Sequence, residues 1–443
     1  MDVTARLTGR LALPDLACSG VAAAVRPLHA LLAAPTLLFL ATLAVMLFRP
    51  PDLQFYSLDR VAFGLLMLVL LLRALALRQS LRVTGPVTWP MLALLLLTLY
   101  GVAAQPYSPQ NWSLFAAKWA VPFVLFHLAG LVFADPASLR KFETFALLVL
   151  AYLSLIAIFF VLGATQLIFP RYILDESLGI HADRARGPFL QAVANGVTLN
   201  LLGLIALNAF RRGRLRGVAA AALLIALPVA ILATRTRAVW LSFGGSLLLL
   251  FLVSSSTRLR RACLALAGAG LVALLAAASF GRVSASLGDR LEDRSPVEYR
   301  MVVYEAGWQM FLDKPLMGWG ASSMQRELQK RIAGFHQDAF FMHNTYLEVV
   351  VEHGLLGGAL YVCMVIGLFR VGRKRYASES QSDDGFLDAQ FRRLWPVLVI
   401  VYLVNATFVV MNYQFVNGML FTLAGMLAAQ NRRMEAGSDV HAS

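Results

Sequence analysis

Residues 143–163 read ETFALLVLAYLSLIAIFFVLG. After Glu143 no charged side chain occurs to the end of the stretch. A helix needs about 20 apolar residues to cross roughly 30 Å of hydrocarbon, so the stretch predicts a membrane-spanning helix. A membrane barrel would instead show ten-residue segments of alternating polarity, and none is read. Comparable runs lie near 28–48, 61–77, 87–105, 112–134, 189–209, 217–234, 238–254, 262–280, 346–369, 394–411 and 415–430, which gives about twelve spans. Composition agrees: 59% of the 443 residues are hydrophobic and 14% charged, against about 25% charged in soluble domains. The fold class expected is all-α, a polytopic transmembrane helical bundle. No secretory signal with a small-residue cleavage site is read, so the first spans are expected to anchor the chain.

Lys and Arg in short loops orient such a bundle. With the N-terminus inside, the inner connections carry Arg78 and Arg82; Arg140 and Lys141; Arg211, Arg212, Arg214 and Arg216; Arg258, Arg260 and Arg261; Arg370, Arg373, Lys374 and Arg375; and Arg432 and Arg433. The short outer connections 106–111 and 412–414 carry none. Both termini are therefore expected inside. The expected organisation is nine spans over 1–280, an outer loop over 281–345, and three spans with an inner tail over 346–443. Within the loop, residues 297–312 read as an amphipathic helix, ended by Asp313-Lys314-Pro315 and a turn at Gly318-Trp319-Gly320. A second, more polar helix is expected over 321–333. Residues 376–388 read as a solvated inner loop.

The net charge of +14 raises the question of nucleic acid. The basic residues sit in short clusters between apolar runs, which argues for membrane lipids and against nucleic acid. Three cysteines, Cys18, Cys263 and Cys363, show no CxxC spacing, so neither a disulfide framework nor a zinc site is expected. No Walker loop occurs. Asp289, Glu292 and Asp293 could hold a metal, but Arg290 and Arg294 beside them favour a salt-bridged segment; no metal or other cofactor is expected.

On this topology three spans begin at the outer face, where helix N-termini offer partial positive charge and free N–H groups. Arg184, Arg186, Gly187 and Pro188 precede one, with Pro188 at a plausible first helical position. Arg235 and Arg237 precede the second. His343 precedes the third, where Thr345 and Glu348 have capping-box spacing. Such a cluster suits an anion, most naturally a phosphate or diphosphate. Each residue also has a plainer reading. The arginines could be interface anchors, Arg300 could decorate its loop helix, and His343 could be a satisfied interfacial histidine. His127, His336 and His353 are read as structural. Gly354 and Gly357 are read as close-packing positions that fix the span below His343. Asn195 and Asn200, buried amides, need partners across the bundle or line a cavity.

His343, Asn344, Gly354 and Gly357 resemble the hallmark motif of the O-antigen ligase (WaaL) family and its relatives, the O-antigen polymerases and protein O-oligosaccharyltransferases. Arg186-Gly187-Pro188-Phe189 with Asn195, Thr236-Arg237-Ala238, and Arg300 with Trp308 and 314–320 resemble three further segments. The resemblance spans about 186–360. It implies a metal-independent, inverting glycosyltransferase at the periplasmic face of a bacterial inner membrane, in lipopolysaccharide biosynthesis. The implied donor is a glycan on undecaprenyl diphosphate, and the implied acceptor is a lipid A-core oligosaccharide. It implies His343 as the essential histidine and Arg237 and Arg300, with Arg186 as a third, as the essential arginines. The chemistry of such a transfer suits neutral His343 as general base and Arg184, Arg186, Arg237 and Arg300 as the groups on the diphosphate. Asn344, Gly354, Gly357 and Asn195 would be structural support. Polymerase and protein oligosaccharyltransferase remain alternatives. A transporter with an outer anion site is a more distant one, since no pair of interrupted spans is read.

Overall fold

The computed structural model describes residues 35–49, 57–77, 85–179, 181–279, 295–332, 341–373 and 385–442. Among them there is no strand, and the expected apolar runs fall on helices. In chain order these are α1 (Pro35–Leu47), α2 (Leu58–Leu77), α3 (Thr88–Ala103), α4 (Pro109–Val132), α5 (Pro136–Val161), α6 (Ala192–Arg211), α7 (Gly217–Ala233), α8 (Arg237–Val253), α9 (Thr257–Ser279), α10 (Ser295–Asp313), α11 (Ala321–Arg331), α12 (Thr345–Arg373), α13 (Ala389–Ala406) and α14 (Gln414–Ala442). By length and composition α4, α5, α6, α9 and α12 are able to cross a membrane, while α1, α3, α7 and α8 are shorter apolar helices. The start of the first expected span at 28–34, Cys18, Arg78, Arg82, the acidic residues Asp289, Glu292 and Asp293 with Arg290 and Arg294, His336, Lys374 and Arg375 lie outside the described residues.

α6 is the central post. It is buried along nearly its whole length and packs against α5, α7, α8, α9, α13 and α14. Apolar contact drives helix association little when lipid is equally apolar, so close packing and buried polar bonds hold such bundles. Both are present. Asn200 on α6 accepts from Ser246 (3.0 Å), and Asn405 on α13 donates to Ser242 (2.9 Å), stitching α6, α8 and α13. The Trp395 indole donates to the Leu368 carbonyl at 2.7 Å, tying α13 to α12. α4 carries a π-helical bulge over Ala116–Ala120. Asn417 of α14 donates to the Ala117 carbonyl within it (2.9 Å), which stabilises the irregular turn.

Of the segment expected to be a solvated loop, 376–384 lie outside the described residues, and the described end, 385–388, turns back into the core. Phe386 and Leu387 are buried, and Phe386 stacks on Phe142 at 5.8 Å. Asp388 then caps α13 by accepting from the Phe391 amide at 2.9 Å. Two apolar side chains just before a capping aspartate return the chain to the core. Several basic residues read as loop charges are also engaged. Arg212 and Arg214 face buried Glu143 (3.1 and 3.5 Å), and Arg211 pairs with Asp388.

Candidate active site

The entry to α12 is fixed on both sides of His343. Met342 is fully buried in a cluster with Val303, Met310, Met324, Leu328 and Val351. Asn344 accepts from the amides of Tyr346 (2.9 Å) and Leu347 (3.1 Å), so Asn344 is the N-cap. The capping box read at Thr345 and Glu348 is therefore corrected. Thr345 is the first helical residue; its hydroxyl donates to the Val409 carbonyl (2.8 Å) and accepts from Met411 N–H (3.1 Å). Glu348 turns instead to Lys118. His343 is held between these anchors with φ 50, a left-handed backbone uncommon outside glycine.

α10 crosses this entry at Gly307, where a Cβ would lie 2.9 Å from Met342 Sδ and 3.1 Å from Leu347 Cδ2. The crossing brings three α10 residues to His343. The Tyr299 ring centroid is 6.1 Å from that of His343, edge to face. The Tyr304 hydroxyl lies 3.3 Å from the carbonyl oxygens of both His343 and Thr407, and donates between them. Arg300 is half-buried, and its guanidinium has no hydrogen-bond or ion-pair partner among the described residues. Burial, then Arg300, then His181 pull the His343 pKa down to about 4. The imidazole is neutral at physiological pH and able to accept a proton.

His181 was not singled out by its sequence. It lies on the 164–191 connection with φ 56. An imidazole three residues before Arg184, in a polar loop between apolar runs, was the available signal. The same loop reaches the end of α7 and the connection to α8: Ala185 N–H donates to the Ala233 carbonyl (3.1 Å), and Asp183 faces Arg235 at 3.8 Å. Among the described residues the non-glycine left-handed positions are His181, Leu190, Arg235 and His343. Backbone strain of this kind costs about 1–3 kcal/mol per residue and tends to collect at functional sites; here Leu190, Arg235 and His343 stand just before α6, α8 and α12, and His181 lies in the loop before α6.

The expected arginines divide. Arg237 opens α8, is exposed, and pairs with nothing among the described residues. No side chain caps the first turn of α8, because the Thr236 hydroxyl donates to Thr234 (2.9 Å). Its amides are therefore open to an anion. Arg186 is 1% exposed and donates to the carbonyls of Ile173 (2.9 Å), Leu178 and Asp175. It is the internal strut of the 173–186 loop and presents no open face. Arg184 is half-buried beside it. Asn195 donates to the Ala185 carbonyl at 2.8 Å, fastening the same loop to α6. Pro188 opens a short 3₁₀ turn, Gly187–Phe189, and not α6 itself, because Leu190 (φ 54) interrupts the chain before Ala192. The start of α6 is buried, so it offers no open helix end.

Gly354 has a role other than close helix packing. Its φ of 63 and ψ of −161 break α12 in two. Into the break comes the 315–320 turn: Trp319 and Gly320 amides donate to Val351 (2.9 Å) and Glu352 (2.8 Å), and Leu355 and Leu356 amides donate to Pro315 (2.7 Å) and Leu316 (3.4 Å). A Cβ on Gly354 would lie 2.2 Å from the Leu316 oxygen, and one on Gly318 would lie 2.5 Å from Glu352 carbon. At Gly357 a Cβ would meet the His353 side chain at 2.2 Å. The two glycine-bearing segments are thus halves of one joint, and the interruption is filled by protein backbone. Between cap and joint, α12 is clamped to the α4 bulge. Lys118 pairs with Glu348 and lies 3.4 Å from Glu352; Thr98 and the His353 ring nitrogen are 3.1 Å apart.

No curated protein matches the chain. Residues 220–362 match a family model described as O-antigen ligase. The match takes in Arg237, Arg300, His343 and the Gly354 joint; Arg184, Arg186 and Asn195 precede it. In its 220–362 segment, less than half of the chain, the protein is similar to the O-antigen ligase family.

Proposed function

We propose that the chain is a membrane glycosyltransferase of the O-antigen ligase type. It moves a glycan from a polyprenyl diphosphate, undecaprenyl diphosphate by the resemblance, to a lipid A-core sugar at the periplasmic face of the bacterial inner membrane. The observation that carries this reading is His343, held at a strained position just outside α12, beside Arg300, which has no partner among the described residues. Arg300 and Arg237, with the open first turn of α8, hold the donor diphosphate. Arg186, Arg184 and Asn195 serve by shaping the loop that carries His181. Asn344, Gly354 and Gly357 hold the backbone below His343.

The step needs little beyond charge and alignment. The acceptor hydroxyl gives its proton to the His343 imidazole as its oxygen attacks the anomeric carbon. The bond from that carbon to the diphosphate oxygen breaks, and the electron pair leaves with the diphosphate, inverting the centre. Arginines aimed at the leaving oxygens stabilise charge that grows in the transition state. A positioned base typically contributes about 10²- to 10⁴-fold. Burial and Arg300 make His343 a weak base; the negative charge of a bound diphosphate raises its pKa and restores its basicity.

Reconstitution in liposomes with lipid-linked glycan and lipid A-core, without nucleotide or added metal, tests the reading. Transfer to the core is the expected result. Elongation of the lipid-linked glycan alone would assign a polymerase instead, and transfer to a protein acceptor alone an oligosaccharyltransferase. Uptake of an anion with no transfer would assign a transporter.

A further inference from the structure

α10 and α11 follow one another, yet their outward faces differ. α11 buries Met324 and Leu328 and turns Arg326, Gln329 and Lys330 outward, as a helix in water does. α10 buries Val303, Gly307 and Met310 and also turns apolar side chains outward. Met301, Trp308 and Leu312 lie one helical face apart from the buried one, and Met301 is 64% exposed. Glu305 is exposed on the same outward side, with Glu298 and Gln309 beside it. That side is therefore amphipathic, an apolar line flanked by carboxylates, as on a helix lying in a membrane interface.

The outward stripe does not stop at the end of α10. It runs into Leu316, 68% exposed, and Met317 on the turn that docks in the α12 break. The hydrogen bonds of that joint set Leu316 directly against Leu355 and Leu356 of α12, which are exposed in turn. Below them Val362 and Ile366 continue the exposed apolar face of a helix able to span the membrane. The exposed apolar surface therefore runs from a helix able to span the membrane to α10. Beside it stand Trp319 and Lys314, stacked at 3.9 Å, an aromatic-cation pair typical of a headgroup boundary.

From this continuity we infer that α10 and the 314–319 turn lie in the bilayer interface, with acyl chains covering Met301, Trp308, Leu312, Leu316 and Met317. α10 is a membrane-embedded brace and not a water-exposed loop helix. Its other sides carry Tyr299, Arg300 and Tyr304 to His343, so the embedding sets the candidate site at headgroup height. Two lipid-anchored substrates then meet there without being lifted from the bilayer.

Nitroxide labels at Met301→Cys, Trp308→Cys, Leu312→Cys and Leu316→Cys test this in full-length, otherwise cysteine-free protein in phosphatidylethanolamine–phosphatidylglycerol liposomes. Ile366→Cys is the lipid reference and Lys330→Cys the water reference. The expected result is relaxation by oxygen over nickel chelate at the level of Ile366→Cys. Relaxation by nickel chelate at the level of Lys330→Cys overturns the inference, and so does protection from both agents, which means a protein cover. Brominated lipids give a cysteine-independent check. The fluorescence difference between wild type and Trp308→Phe is expected to be quenched, and an unquenched difference overturns the inference. Neither measurement depends on glycosyl transfer.

Discussion

Replacing Gly354 by alanine tests the joint beneath the candidate site. Its φ of 63 and ψ of −161 fall in a region essentially restricted to glycine. The added Cβ would lie 2.2 Å from the Leu316 oxygen, a backbone atom that cannot rotate away. The variant has two ways to respond. It can keep the joint, with about 1–3 kcal/mol of backbone strain and an overlap that remains. Or the 315–320 turn undocks and α12 straightens. Undocking gives up the four backbone hydrogen bonds to the turn, at about 0.5–1.5 kcal/mol each. It regains about 1 kcal/mol, because alanine outranks glycine within a helix. The expected net loss is about 3 kcal/mol. Denaturant unfolding in micelles measures it, and hydrogen exchange at the Trp319 and Gly320 amides shows whether the turn has left. Gly244→Ala is the control, since nothing lies within 4 Å of its Cβ; it should be neutral or stabilising by up to about 1 kcal/mol. Wild-type stability in Gly354→Ala, with both amides still protected, would refute the reasoning.

Three other perturbations separate the roles assigned above. Arg186→Met strips a buried guanidinium from three carbonyls and should cost about 3–5 kcal/mol of stability, whereas exposed Arg237→Ala should stay within about 0.5 kcal/mol while losing transfer activity; equal stabilities for the two would contradict the division. Lys118→Met leaves Glu348 and Glu352 buried without their cation and should cost about 3–5 kcal/mol, most of it recovered when both glutamates become glutamine; a single variant as stable as wild type would count against the clamp. In pH–rate profiles, kcat/KM reports free enzyme, so its acid limb should sit near the His343 value of about 4. The kcat limb should lie higher, because bound diphosphate favours the imidazolium, and Arg300→Gln should raise the kcat/KM limb by removing a cation that lowers the pKa. Identical limbs in all three profiles would exclude His343 as the titrating group.

The helices were legible because a bilayer leaves the backbone few choices, and long uncharged runs such as 145–162 announce them. The neighbourhood of His343 was legible in part. A titratable residue before an apolar run with glycines beyond it marked the place, yet the capping-box spacing of Thr345 and Glu348 pointed to the wrong cap, because Glu348 is drawn to Lys118 and Asn344 takes the first amides. Arg186 and Arg237 look alike as arginines before a span. Only the carbonyls of a folded loop make one internal and leave the other open. The partner of Gly354 is a turn some forty positions earlier, and that of Lys118 lies 230 residues away. No local pattern encodes such pairings. α10 was read as an amphipathic helix, and the structure has a helix there; the exposed Met301, Trp308 and Leu312 stand out only once the opposite face is buried.

The central claim is that His343 takes the acceptor proton while Arg300 holds the diphosphate. Single-turnover transfer and donor binding, measured together in liposomes for His343→Ala and Arg300→Ala, test it most directly. The account predicts that His343→Ala binds donor as wild type does but transfers about 10²- to 10⁴-fold more slowly, and that Arg300→Ala loses donor affinity as well as rate. Wild-type transfer by His343→Ala would contradict it.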